Sequence, residues 1–433
     1  MPLTSGSSHA FDDLVEESLD EAAFLWGRWE GELVSLTRSL DEVWSWTEDR
    51  LHGALDGVRA AGPGFIDVAI AAMSSGDPHR TAVGAALLGS STDPAATQAL
   101  LSALRAADHP VLAPIVRGLE LLGTRPALRG AAGVLGERDT PSCKAALCRL
   151  KAFLRAAPGS ELASAFEHGD ASSKADAMRA AQYLPGHAAE EWIARGLVDP
   201  DPSVRYAAAE TGTRRGNRAA WRVVTGQGAA LDAHSGPYLR LLALLGNAES
   251  HEVVYAALRI AALRPQAVWS LGHIGTVRAA EACIAGMKHD AVARACGEAY
   301  CWITGAVLER DGLARQEAAP DVPAFEDDDL DANLVPPPDA LWPLPDVDAV
   351  RQHWLARRPG MHATARHLRG IATSQSTRVA AVETGPMLRR PDLVLELQAR
   401  TQGKYDVETR AFTARQRKMM AAARAALSAD GGA

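Results

Sequence analysis

The sequence predicts an all-α fold, an α-solenoid of about eight or more helical hairpins with an N-terminal helical cap and a C-terminal helical block. Three observations carry this expectation. Asp77, Asp108, Asp139, Asp170, Asp201 and Asp232 stand 31 residues apart along the chain. Apolar residues make up 47% of the 433 residues while aromatics are only 5%. That Ala-rich mixture favours thin, closely packed helices over sheets, which need β-branched and aromatic side chains. Finally, no segment reads convincingly as a strand.

The elements follow in order. Residues 1–62 read as a cap of two helices. Asp12 and Asp13 are placed to cap the first, whose apolar positions Leu14, Leu19, Ala22, Ala23, Leu25 and Trp26 recur at helical spacing. Val43, Trp44, Leu51, Leu55 and Val58 mark the second, and Gly62-Pro63-Gly64 breaks the chain. Residues 63–312 are the repeats. Around each aspartate a turn leads into an Ala- and Leu-rich helix, often ending near Gly. A period of 31 fits two helices and two short turns, and such a pair buries its apolar stripe only by stacking on its neighbours. Aspartate suits the helix start because its carboxylate accepts the free N–H groups of the first turn. Pro78, Pro110, Pro141 and Pro202 suit the same place, where a missing N–H costs little.

Residues 313–348 form an acidic, Pro-rich linker, with Asp327-Asp328-Asp329 and Pro336-Pro337-Pro338. It is expected to be extended, or to pack along the solenoid through Phe325, Leu330, Leu334, Leu341 and Trp342. Residues 349–433 return to helical texture. Val350, Trp354 and Leu355 mark one short helix, Gly360 to Gly370 another, Thr377–Val382 and Pro391–Leu397 a pair, and basic Ala411–Leu427 the last.

The stretch from Asp199 to Ala209, with Val204 and Arg205 after Asp201-Pro202, resembles the second helix of a HEAT repeat, as does Ala267 to Ala280. The short period is similar to the HEAT-like repeats first named for phycobilin lyases. This resemblance covers about residues 63–312 and implies a fold rather than a function. The whole layout also resembles an uncharacterised proteobacterial family of HEAT-repeat proteins whose genes often lie among type VI secretion genes. It includes the acidic helix with Phe24-Leu25-Trp26, the segment Gly297 to Gly305 and the linker. That implies a cytosolic accessory or adaptor role.

Net charge is −8, which disfavours general nucleic-acid binding, since phosphate contacts need clustered Lys and Arg. The charge is polarised. Residues 1–60 hold four basic and thirteen acidic side chains, and residues 351–433 hold fifteen basic and six acidic. The two ends either attract each other or meet partners of opposite sign, unless they are simply solvated faces. The first ten residues lack a basic and apolar leader, and no apolar run reaches about 18 residues, so the expected location is the cytoplasm, with no membrane span. Cys143, Cys148, Cys283, Cys296 and Cys301 form no CxxC pair and are expected to be small buried hydrophobes in a reducing compartment.

No P-loop, GxGxxG after a strand, HExxH or GxSxG is present. His251-Glu252 is a lone His-Glu pair, too few ligands for a metal site, and His362 and His367 read as surface histidines. No catalytic residue, cofactor or metal is expected. The expected function is a non-catalytic protein-binding scaffold or adaptor. A HEAT-like enzyme (a lyase or a DNA glycosylase) and an acidic-polymer or nucleic-acid binder using the basic C-terminal block stand as alternatives. The candidate partner-binding residues are a ladder of Arg80, Lys144, Lys174, Arg205 and Arg278, which stacking would space by about 10 Å. To these are added Arg294 and Glu298, one turn apart, and Trp26 and Trp29, which share a helix face. The plainer alternatives are pairing of the ladder with the cap-region aspartates, a surface ion pair, and tryptophans that seal the first repeat.

Overall fold

The structure, a computed structural model, describes residues 6–316 and 342–430. It confirms an all-α solenoid class, with helices packed in series and a single two-residue hairpin among the described residues. The chain divides into two compact units, residues 1–221 with 382–433 (unit 1) and residues 222–381 (unit 2). The bounds expected from sequence are therefore not those of the compact units. One boundary falls inside a repeat helix, and the C-terminal block is divided between the two.

Unit 1 begins with α1 (Gly6–Glu32), α2 (Leu40–Val43) and α3 (Asp49–Arg59), the last two joined through a π-helical turn at Trp44–Glu48. Asp12 and Asp13 lie inside α1 instead of capping it. Ser39 and Glu42 form the reciprocal capping box that starts α2. Then come α4 (Phe65–Met73), α5 (Pro78–Ser90), α6 (Pro94–Ala106), α7 (His109–Leu122), α8 (Arg125–Glu137), α9 (Pro141–Phe153), α10 (Glu161–His168), α11 (Ala171–Ala181), α12 (Gly186–Leu197) and α13 (Pro202–Arg214). The inner helices α5, α7, α9, α11 and α13 pack each on the next, and α4, α6 and α8 form an outer row.

The aspartate period coincides with the starts of the inner helices. Asp77, Asp170 and Asp201 are N-caps whose carboxylates accept first-turn N–H groups at 2.7–2.8 Å. Asp108 holds the cap position without that bond, and Thr140 takes the place next to Asp139. Register is also held one period back. Arg138 donates to the carbonyls of Leu104 and Ala107, Arg215 to Gln182 and Thr211 to Met178.

Small residues let the inner helices approach. Gly118 of α7 lies against the backbone of Ala82 and Ala86 in α5, where an added Cβ would collide. Unit 1 is completed by the end of α21 (Gln375–Thr384), by α22 (Arg390–Arg400), which packs on α13, and by α23 (Thr413–Asp430).

Unit 2 follows α14 (Arg218–Ala230), which carries the boundary. It contains α15 (Gly236–Leu245), α16 (Ala248–Ala257), α17 (Arg264–Ile274), α18 (Val277–Gly286), α19 (Asp290–Thr304) and α20 (Val347–Arg357). Helices α15, α17 and α19 again pack in series. The expected linker packing through Phe325, Leu330, Leu334 and Leu341 lies outside the described residues, but the two ends of that stretch meet. Arg315 N–H donates to Leu344 and Asp346 N–H to Leu313. The expected helix near Gly360–Gly370 is instead an antiparallel hairpin, β1 (His367–Leu368) and β2 (Ile371–Ala372). Arg369 and Gly370 turn it with φ of 53° and 80°, which suits a tight turn and not a helix.

Two substitutions separate packing from propensity. Gly118→Ala should lower unit 1 stability by roughly 1–3 kcal/mol through overpacking. Gly133→Ala, on an exposed face of α8 with open space around it, should raise stability by up to about 1 kcal/mol. Urea midpoints of the two variants against wild type check both signs.

Candidate functional site

The inner-helix face of unit 1 is not bare. The C-terminal segment runs along it and is held by side chains of α1 and α7, by Phe153 of α9, and by Arg155 and Tyr183 just beyond the ends of α9 and α11. At one end, Phe412 enters an aromatic cluster, its ring centroid 4.7 Å from Trp29, 4.9 Å from His52 and 6.3 Å from Trp26. Next to it Glu48, fully buried, accepts the Thr413 backbone N–H at 2.8 Å, the Thr413 hydroxyl at 2.9 Å and the Trp29 indole N–H at 3.1 Å. A carboxylate from the π-helical turn thus takes the first free N–H of α23, where the helix dipole favours an anion. Burial pushes the Glu48 carboxyl above its usual range, and the bonds from Thr413 and Trp29 offset part of that rise. Arg417 of α23 pairs with Asp41 at 2.6 Å.

Further along, Arg117 of α7 binds Glu30 at 2.6 Å, Glu120 at 3.0 Å and the Arg410 carbonyl at 2.8 Å. Arg415 donates to the carbonyls of Phe153 (3.0 Å) and Glu120 (3.3 Å) near the ends of α9 and α7, groups that helix geometry leaves free. The Phe153 ring, fully buried, lies beneath the guanidinium groups of Arg415, Arg117 and Arg410, at 4.5, 5.8 and 5.9 Å.

Arg155 is the centre of the array side. It pairs with Glu408 at 2.7 Å and Asp406 at 3.0 Å, and Tyr183 donates to Asp406 at 3.2 Å. Burial alone would raise the Glu408 carboxyl, but Arg410 and Arg155 outweigh it and hold the group down to about 2. Arg155 closes α9 with both bonds of a Schellman turn, Arg155 N–H to Ala152 and Ala156 N–H to Lys151. Its φ of 59° is one that glycine normally supplies. Beside this ion cluster lies a cavity of about 380 Å³, walled by Arg149, Arg179, Gln182 and Arg214 on the array side and by Val394 and residues 406–410 on the other.

The candidate residues fall in different places. Trp26 and Trp29 are buried, 1% and 0% exposed, so they seal the cap onto the C-terminal segment and cannot anchor an outside partner. The ladder residues have partners within the chain. Arg80 pairs with Glu16 and Asp20 of α1, Lys144 bonds the Gly136 carbonyl, Lys174 pairs with Asp199 at 3.1 Å, and Arg205 bonds the carbonyls of Asp199 and Pro200. Arg80 thus ties α5 to α1 and Lys144 ties α9 to α8, while Lys174 and Arg205 hold the loop before α13. Arg278 is on α18, an outer helix, where it pairs with Glu252 and lies 3.8 Å over the Tyr255 ring. Arg294 donates to the Trp342 carbonyl at the linker's return, and Glu298 lies near Cys301. Burial, and then the Glu298 charge, push that thiol up to about 12, and the other four cysteines are buried.

In unit 2 the hairpin supplies donors to helix ends. His367 N–H bonds Gly275 at 2.7 Å, and the N–H groups of Arg369 and Gly370 bond Trp302 and Ile303 at 2.8 Å. His367 is buried in β1 and takes the His362 N–H on its ring, so it is no surface histidine.

No protein-family model matches this chain, and no curated protein matches it. A solved structure of an engineered protein from a structural genomics consortium is similar over 67% of this chain and 94% of its own. The identity is 16% and the TM-score 0.28. Among the described residues no helix is long and apolar enough to cross a membrane, and no group of His, Cys, Asp or Glu is placed to hold a metal ion.

Sequence reasoning missed Arg155, Glu48, Asp406, Glu408 and Phe412. No motif, spacing or charge run marked them: Arg155 lies in neither charged end, and Asp406 and Glu408 are acids within the basic one.

Two outcomes test this site. Glu48→Ala strands the Trp29 and Thr413 donors and should cost roughly 3 kcal/mol in chemical denaturation. Glu408 titrates below its unfolded value, so its stabilisation is full above about pH 4.5 and fades as pH falls toward 2. The difference in urea midpoint between wild type and Glu408→Gln should therefore be largest above pH 5 and close at pH 2.

Proposed function

We propose that this protein is a non-catalytic binding scaffold, of HEAT-repeat type, whose inner helix face holds a non-helical protein segment. One observation carries the reading. Arg117 of α7, Arg155 at the end of α9 and Tyr183 after α11 already hold a polypeptide, the chain's own residues 406–410, which are not helical. The face does so with paired arginines, helix-end carbonyls and an aromatic socket, the features of a surface that grips peptide. The basic C-terminal block turns Arg410, Arg415, Arg417 and Arg424 onto acids and carbonyls of its own chain. This favours an internal role for that block over phosphate binding. The family resemblance gives the partner its setting, a cytosolic accessory or adaptor beside a type VI secretion apparatus.

Affinity capture from the native host tests the reading, with tagged wild type beside Arg155→Glu and Arg80→Glu variants. A secretion-system protein enriched by wild type and by Arg80→Glu, and lost with Arg155→Glu, is the expected result. The same captured set with all three baits, or none, would overturn it.

A further inference from the structure

The residues that hold the C-terminal segment specify what else could lie there. The segment between α22 and α23 presents Asp406 and Glu408 to one guanidinium, with Val407 buried between them, and places Phe412 four residues beyond the second acid. On the array side the cavity wall carries Arg149, Arg155, Arg179 and Arg214 against Asp176 and Glu210. The surface beneath the segment is thus net basic, and the segment brings the compensating acids. Arg155 keeps a left-handed backbone at a helix end where glycine would avoid a strain of about 1–2 kcal/mol. The position is therefore held for its guanidinium and not for its turn.

The docked segment also leaves the site incompletely filled. The 380 Å³ cavity stays open along Asp406–Arg410, and Arg155 Nε and Gln182 Oε1 are buried at its wall with no hydrogen-bond partner among the described residues. A longer side chain with a polar end in place of Val407 or Thr409 would have both space and unfilled partners.

Resting on the scaffold reading, we propose that the Arg155 cleft recognises a non-helical acidic segment of another protein, of pattern acid–apolar–acid followed by a turn and an aromatic residue four places on. The chain's own residues 404–412 occupy the cleft as a competing mimic. Tethering gives the mimic an effective concentration in the millimolar range, so only a partner with added contacts, such as groups that fill the cavity, displaces it.

The test uses the full chain and a fluorescein-labelled peptide of residues 401–413 as probe, read by fluorescence polarisation. The Asp406→Lys, Glu408→Lys double variant removes both ion pairs to Arg155 and is expected to free the cleft around it. Asp406→Asn, Glu408→Gln does so with side chains of native size, and circular dichroism verifies that each variant is folded. The freed variants should bind the probe on the order of 100-fold more tightly than wild type. Adding Arg155→Glu should abolish that gain, and a probe with lysine at both acidic positions should not bind.

Equal binding to wild type and freed variants, or no binding to a folded freed variant, would overturn the proposal. So would a dimer of the freed variants, seen by light scattering, that excludes the probe, because the occupant would then be a second copy of this chain. If the probe fails while wild type still captures a partner that Arg155→Glu loses, the scaffold reading stands and only the acidic pattern is removed.

Discussion

The close approach of the inner helices is the constraint on which the rest of unit 1 depends. Alanine and glycine line their contacts, and at Gly118 the backbones of α7 and α5 meet with no room for a Cβ. Thin helices stacked in one register bring equivalent positions into line. The ends of α7 and α9 consequently offer their free carbonyls to one passing segment, and Arg155, Tyr183 and Arg214, one from each successive repeat, reach the same cleft. Bulky contacts would have spread these groups too far apart for one short turn-containing segment to meet them all.

Charge works at a second level. The acidic start of the chain, net −9 over residues 1–60, and the last 52 residues, nine of them basic and six acidic, both belong to unit 1. An ion pair between them, Arg417 with Asp41, is exposed and of small worth, whereas charges buried elsewhere in unit 1 weigh more. Glu48 is sealed under Thr413 and Trp29, Arg117 is largely buried between Glu30 and Glu120, and Glu408 lies under two arginines. In such places partner removal is costly because the remaining charge has no water to turn to. Such buried partners fix where the C-terminal segment docks more than they add net stability.

Much of this was legible in the sequence, for identifiable reasons. The 31-residue aspartate period marked the inner helix starts because N-cap chemistry is local, and Asp77, Asp170 and Asp201 carry it out as expected. The terminal helix and the helix of Val350 and Trp354 followed from apolar spacing alone. The site was hardly legible. Arg80, Lys174 and Arg205 recur with the repeat, yet each is tied to partners within the chain, and periodicity does not show such partners. Glu48 meets Thr413 across 365 residues, and Arg155 looks like any loop residue until its φ and its partners are known. The hairpin at 367–372 escaped because two-residue strands leave no alternation to read.

The split composition of unit 1 bears on how the chain is made. Its last 52 residues emerge after the whole of unit 2, a delay of about 160 residues, or roughly 10–30 s at ordinary translation rates. During that interval Trp26, Trp29, Phe153 and Arg155 have been synthesised without the segment that covers them. A nascent or truncated chain therefore displays an aromatic and cationic surface that the finished molecule hides. Quality-control machinery that binds exposed apolar surface would read that difference as a mark of incomplete translation.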